Sequence, residues 1–326
     1  MLSRVADNLY WMSRYLERAE YTARLLDENL HQMLDQNTTY AQQRWQRLRT
    51  ILHMQPSGDG PDEVYHMTRI LTFDTSNAAS IVSCIASARE NARQVREQIS
   101  SEMWIQLNQL YLQIRQTDID EIWRAEPHIF LTTVKEGVQL FRGIADATMN
   151  HSEGWYFIRM GCFLERSTST ASLIDAHFGA MLQPAQDDTS VSLDYLGWVG
   201  LLRSCTAFEA YCKVYSANVQ PDKIAEFLLL NAESPRSVRY AAAQMQIALQ
   251  AVSKSTHTRH AGRVERLAGR LRSALEYDQI EDVMHDMHAY LENTQRQCSQ
   301  IHNAIYQVYI AYPIDSVLVS GAAAQA

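Results

Sequence analysis

The sequence predicts an all-α fold, a multi-helix bundle built from two duplicated helical halves with a pseudo-twofold relation. Three observations carry this reading. Apolar residues recur at spacings of three and four along the chain, and no stretch alternates as a half-buried strand should. Breakers are scarce, with 7 prolines and 12 glycines in 326 residues, so long helices can run uninterrupted. The chain also repeats itself: at an offset of 148 residues, Met12, Leu16, Glu17, Arg18, Thr22, Ala23, Leu25 and Asp27 each meet an identical residue between Met160 and Asp175. An ungapped match that keeps the apolar register and one ion-pair dipeptide points to two copies of one helix, with the duplicated charges near each other.

Ser3 is expected to cap a first helix of about 30 residues. Along it Val5, Leu9, Met12, Leu16, Ala19, Ala23, Leu26, Leu30 and Met33 form a continuous apolar seam. Glu17 lies at the edge of that seam. Arg18 lies almost opposite, level with Trp11 and Leu25, so apolar residues occupy both sides of the helix. Such a helix is expected to be central in its bundle, with Arg18 at least partly buried and paired to Glu165 or another acid. A loop is expected from Gln55 to Asp62, others near Pro127, Pro221 and Pro235, and one from Gln183 to Ser192. Between them Trp45 and Leu48 match Trp198 and Leu201 at an offset of 153, and Leu71 to Val82 matches Phe227 to Val238 loosely at 156. The drift fits small insertions in the second copy. In that copy Phe157, Met160, Leu164, Ser167, Ala171, Ile174 and Phe178 hold the register of the first helix, predicting that the two pack lengthwise. Residues 1–150 and 151–312 are thus read as the two halves, and 313–326 as a disordered tail.

Composition bounds the function. The chain is 46% hydrophobic, ample for a core. A net charge of −8 and a pI near 5.8 argue against nucleic acid as the main partner. No apolar run approaches the roughly 20 residues needed to span a bilayer. Five cysteines without a C-x-x-C pair, and Arg4 and Asp7 where a signal peptide would be apolar, predict a cytoplasmic protein with free thiols.

Charged constellations supply the candidate sites. The Glu17-Arg18 and Glu165-Arg166 units are either a buried site for a small charged ligand or a structural ion-pair network holding the halves in register. Arg89, Arg93 and Arg96 share a helix face and could clamp a carboxylate or phosphate; interleaved with Glu90 and Glu97, they could equally be solvated pairs. That helix is expected to restart at Ser101. Arg259, Arg263, Arg266 and Arg270 form the most basic face, where an anionic partner could dock, though a solvated outer face is the favoured reading. Glu28-x-x-His31 and Glu63-x-x-His66 match the ligand spacing of di-iron bundles, but Glu28 aligns with Ala176, so no metal is assigned. Asp282, His285 and His288 are read as surface residues of the last long helix, and Cys205 and Cys212 as core. No glycine-rich phosphate loop is present, and no cofactor is predicted.

The run Asn8-Leu9-Tyr10-Trp11 followed by Arg14-Tyr15-Leu16-Glu17-Arg18-Ala19-Glu20 resembles the signature of the alpha-E family, bacterial helical proteins named for a Glu-Arg motif. The likeness continues through Ala88 to Arg93, Glu102-Met103-Trp104, Phe163 to Arg166, Arg203-Ser204-Cys205, Ala207 to Tyr211 and Pro235-Arg236-Ser237-Val238. Two positions depart from the pattern: Ser13 replaces a usual glycine, and Thr168 stands where the second copy commonly has an acid. The second departure favours a ligand meeting Glu17, Arg18 and Glu20 of the first copy over a symmetric pair. The resemblance implies a context of circularly permuted ATP-grasp proteins and transglutaminase-like peptidases. It places Glu17, Arg18, Glu20, Arg89, Arg93, Glu165, Arg166 and Arg236 among the residues to follow. The expected function is a helical accessory subunit of an ATP-grasp-linked system that makes or modifies a peptide or amide bond. The alternative is an enzyme of that pathway, in which burial raises the pKa of Glu17 or Glu165 so that it serves as a base and the arginines hold the substrate carboxylate.

Overall fold

The computed structural model describes residues 1–33, 38–52, 63–124, 127–181, 190–216, 218–256 and 261–311, and every regular element among them is helical. In chain order the α-helices are α1 (Ser3–Met33), α2 (Thr38–Ile51), α3 (Glu63–Thr72), α4 (Ile81–Gln94), α5 (Ser101–Arg115), α6 (Ile119–Arg124), α7 (Pro127–Thr148) and α8 (Glu153–Met181). They continue as α9 (Ser190–Ser204), α10 (Phe208–Tyr215), α11 (Pro221–Leu230), α12 (Val238–Thr256), α13 (Ala261–Tyr277), α14 (Ile280–His285) and α15 (Met287–Ile305). The expected loop at Gln55 to Asp62, Arg259 and the tail at 313–326 lie outside the described residues. Pro127 and Pro221 stand at the starts of α7 and α11, where a missing N–H costs nothing and a fixed φ favours the first turn.

The core is organised around α1 and α8, which lie along each other. α1 also packs on α4 and α7, with α5 bridging those two; α8 packs on α12 and α15, with α13 bridging those two. α9 touches α1, and α2 touches α8. The α1 pattern explains its central place. Leu9, Met12, Leu16, Ala19, Ala23 and Leu26 are buried on the seam, while Tyr10 and Leu25 are buried on the other side, each large side chain contributing about 1.5–3 kcal/mol. The helix starts one residue earlier than expected, at Ser3 itself: the Leu2 carbonyl accepts from Ala6 N at 3.1 Å, so the expected cap already lies inside it.

At Gly161 the contact between α1 and α8 excludes a side chain. A Cβ on Gly161 would fall 2.3 Å from the Tyr10 carbonyl oxygen and 2.3 Å from Ser13 Oγ. The Ser13 hydroxyl turns onto that same carbonyl at 3.0 Å. The small residues that let these backbones meet thus occupy the same register as the departure seen at Ser13. Other ends are set by caps. Ser80 Oγ accepts from Ser83 N and Ser100 Oγ from Met103 N, each at 3.2 Å, so α5 begins at Ser101 as its sequence predicts.

Candidate functional site

Glu17 and Glu165 face opposite partners across the α1–α8 contact, each reaching an arginine of the other helix. Arg166 holds Glu17 with two bonds, Nε to Oε1 and Nη2 to Oε2, both 2.9 Å. Arg18 Nε donates to Glu165 Oε1 at 2.7 Å, and Arg14 Nε donates to Glu165 Oε2 at 2.7 Å. The expected Arg18–Glu165 pair is therefore present.

Around Glu17 the network widens. Arg236 Nη1 donates to Glu17 Oε1 at 3.0 Å and its Nη2 to Glu20 Oε1 at 2.7 Å, so one guanidinium joins two carboxylates a helical turn apart. Arg142, from α7, spans the same two acids on their other oxygens. Arg24 closes the group through Nη2 to Glu20 Oε1 at 2.5 Å. Glu17, Glu20, Glu165, Arg24 and Arg166 are buried, and Arg142 keeps 26% of its side chain exposed. Three carboxylates are thus gripped by six guanidiniums, those of Arg14, Arg18, Arg24, Arg142, Arg166 and Arg236.

Local sequence chemistry sets the aim of Arg236. Asn231 Oδ1 accepts from Glu233 N at 2.9 Å and Ser234 N at 2.7 Å, bending the chain after α11. Ser237 Oγ then accepts from Tyr240 N at 3.0 Å, capping α12. The intervening Pro235 offers its carbonyl to Arg166 Nη1 at 3.0 Å.

Electrostatics of the site oppose general-base chemistry. Burial pushes the Glu17 carboxyl up, but Arg142, Arg166 and Arg236 outweigh it and hold it down at about 2. Against the same burial, Arg142, Arg236 and Arg24 hold Glu20 well below the ordinary range, and Arg14 and Arg18 lower Glu165. The expectation that burial raises a glutamate toward neutrality is corrected: paired guanidiniums overcome desolvation. Arg236 is pushed down by burial, and Arg166 and Arg24 add to the effect. Cys162 donates to Glu17 Oε2 at 3.2 Å, and burial followed by that carboxylate pushes its thiol up, which leaves it a poor nucleophile.

The other candidates are dispersed. Arg18 turns to Glu165 rather than joining Glu17 and Glu20. Arg89 is not part of this network: it donates to Asn108 Oδ1 at 2.7 Å and lies over Tyr111 and Trp104. Arg93 pairs with Glu90 on the surface, and Arg96 lies over Trp104, so the three arginines of this face meet three different sets of partners. Arg263, Arg266 and Arg270 are exposed. His285 ends α14 while His288 belongs to α15, because the chain breaks at Asp286; the single helix expected there is two. Glu28 accepts from Gln32 Nε2 at 2.8 Å and leaves His31 to Asp27. A cavity of about 400 Å³ is lined by Met1, Ala6, Glu153, Phe157, Val308 and Tyr309 among others, and a narrower cleft by Glu28, Arg44, His177 and neighbours. Glu17, Glu20 and Glu165 line neither.

Sequence reasoning missed Arg14, Arg24 and Arg142. Arg14 precedes Arg18, and Arg24 follows Glu20, by one helical turn, spacings that favour a shared face. Arg142 follows the buried Val138 by four residues, so it was readable as an arginine at the edge of an apolar stripe. Its distant partners had no local signal.

Comparison with known proteins gives a family without a chemistry. No helix among the described residues is long and apolar enough to cross a membrane. No solved structure matches the chain. Uncharacterised proteins of Mycobacterium bovis and Mycobacterium tuberculosis are 24% identical over 300 residues, covering 86% of this chain and 33% of each relative. The chain therefore spans about a third of the curated relatives it matches. A family model described as a predicted alpha-helical domain with a conserved ER motif matches residues 1–310. The Glu17-Arg18 and Glu165-Arg166 dipeptides at the heart of the fold fit that description, and the chain belongs to the Alpha-E family.

Proposed function

We propose that this chain is a noncatalytic helical partner that docks on a circularly permuted ATP-grasp ligase in the cytoplasm and helps hold the substrate or product of peptide or amide-bond synthesis. A transglutaminase-like peptidase is a further partner in this reading. The observation that carries it is the closure of the Glu-Arg network: buried carboxylates saturated by guanidiniums and held ionised suit a rigid scaffold better than proton transfer.

We also infer that residues 1–150 and 151–312 are duplicated halves with a pseudo-twofold relation. Reciprocal Glu17–Arg166 and Glu165–Arg18 pairs support this, as do the parallel packing of α1, α4, α5, α7 and of α8, α12, α13, α15.

A second reading, an enzyme of the same pathway, draws on the surplus of guanidiniums: Arg18 and Arg142 keep 29% and 26% of their side chains exposed and could meet a substrate carboxylate. One experiment separates the two. A circularly permuted ATP-grasp protein encoded by the same organism is assayed for association and for ATP turnover over amines and carboxylates, with this chain or its Glu17→Gln/Glu165→Gln variant shown folded by circular dichroism. Association and stimulation that survive in the folded variant support the partner reading. Product lost only in the variant supports the enzyme, and no association with either form counts against both.

A further inference from the structure

We propose that Asp27, His31 and His128 form a binding site for a divalent transition-metal ion of the zinc type. The site lies outside the Glu-Arg network and uses none of its carboxylates. Asp27 and His31 are one turn apart on α1, and His128 enters from the first turn of α7. A carboxylate oxygen and one nitrogen of each ring lie within 4.8 Å of one another. His128 Nδ1 stands 2.6 Å from Asp27 Oδ1 and His31 Nδ1 3.6 Å from it, with the ring centroids 3.8 Å apart.

Two imidazoles and one carboxylate form a donor set that zinc and its first-row neighbours take, leaving a further position for water or a ligand group. Ligand atoms about 2.0 Å from a tetrahedral zinc are about 3.3 Å apart. Reaching that spacing asks Asp27 and His128 to part slightly from 2.6 Å and His31 to turn, exchanging the 2.9 Å hydrogen bond between its Nδ1 and the Asp27 carbonyl for the ion; its side chain is 54% exposed and has room to turn. Lys135 donates to the other carboxylate oxygen, Oδ2. That contact fixes the orientation of Asp27 and leaves Oδ1 toward the rings, as outer partners of metal ligands do. Its positive charge also weakens cation binding, so Lys135→Gln is expected to bind more tightly.

The molecule contains its own control. His288 Nδ1 lies 2.7 Å from Asp175 Oδ1, joining α15 to α8 as His128 joins α7 to α1. There Gly179 stands four residues after Asp175, where α1 has His31. With two donors instead of three, that pair is an ordinary interhelical ion pair.

The test is titration of the chelator-treated full chain with Zn²⁺ by calorimetry and with Co²⁺ by visible absorption. One equivalent should bind, with His31→Ala and His128→Gln each lowering affinity by about tenfold or more and His288→Gln leaving it unchanged. Because His31 is exposed, its variant keeps the native fold and provides the decisive arm. No saturable binding, unchanged affinity in both His31→Ala and His128→Gln, or a Co²⁺ spectrum dominated by thiolate charge transfer would overturn the proposal.

Discussion

The two Glu-Arg sites begin from the same dipeptide and end with different surroundings. At the first, Glu17 and Glu20 together meet Arg24, Arg142, Arg166 and Arg236; at the second, Glu165 alone meets Arg14 and Arg18. Thr168 occupies the register of Glu20 and spends its hydroxyl on the Leu164 carbonyl at 3.0 Å. His302 sits on α15 in the register that Arg142 holds on α7, as the paired buried positions Val138/Cys298 and Phe141/Ile301 show. Burial, and then Arg14, push His302 down to about 4. It is therefore neutral near pH 7, hydrogen-bonded to Tyr10 Oη at 2.8 Å. Where an acid is missing, the facing cation is missing too. Buried charge is kept only where it can be matched.

That difference sets the order of the expected effects. Glu17→Gln should cost the most, about 3–5 kcal/mol in chemical denaturation, because it leaves several buried guanidiniums facing a neutral group. Glu165→Gln should cost less in the same assay, and equal losses would erase the distinction between the sites. Gly161→Ala should cost about 1–3 kcal/mol by forcing α1 from α8 at the Tyr10 carbonyl; a neutral result would show that this contact is looser than described.

Acid sharpens the same comparison. Carboxylates with lowered folded pKa values contribute stability that is fully present above the unfolded value and lost as pH falls through the folded one. For Glu17 that window runs from 4.5 down to about 2. Melting temperature followed through this range should fall less steeply for Glu17→Gln than for the parent. At the small end, Arg93→Ala should leave the denaturation midpoint unchanged, since its pair with Glu90 is exposed.

Much of this was legible in the chain. The period of the α1 seam marks a helix buried on two sides, and the 148-residue repeat by itself pairs Arg18 with Glu165. Such signals are local or self-referential, and a single chain can carry them. The identities of Arg142 and Arg236 as shared bridges were not legible, because they depend on how α7 and the α11–α12 turn close over α1. The Asp27, His31 and His128 triad was hidden for the same reason: His31 was paired by spacing with Glu28, yet the helix turns it to Asp27 and a residue 97 positions away completes the group. The surroundings of Arg89 and Arg93 were not legible either, because a shared face says nothing about which neighbours cover it. Trp104 and Tyr111 took the first, and solvent the second.

Each Glu-Arg unit locks onto the other across α1 and α8. A double-mutant cycle of Glu17→Gln and Arg166→Met, read by denaturant unfolding, tests it most directly. The double variant should lose less stability than the two singles combined, by about 1–3 kcal/mol. Additive losses would mean that the pair is a coincidence of packing and would contradict the claim.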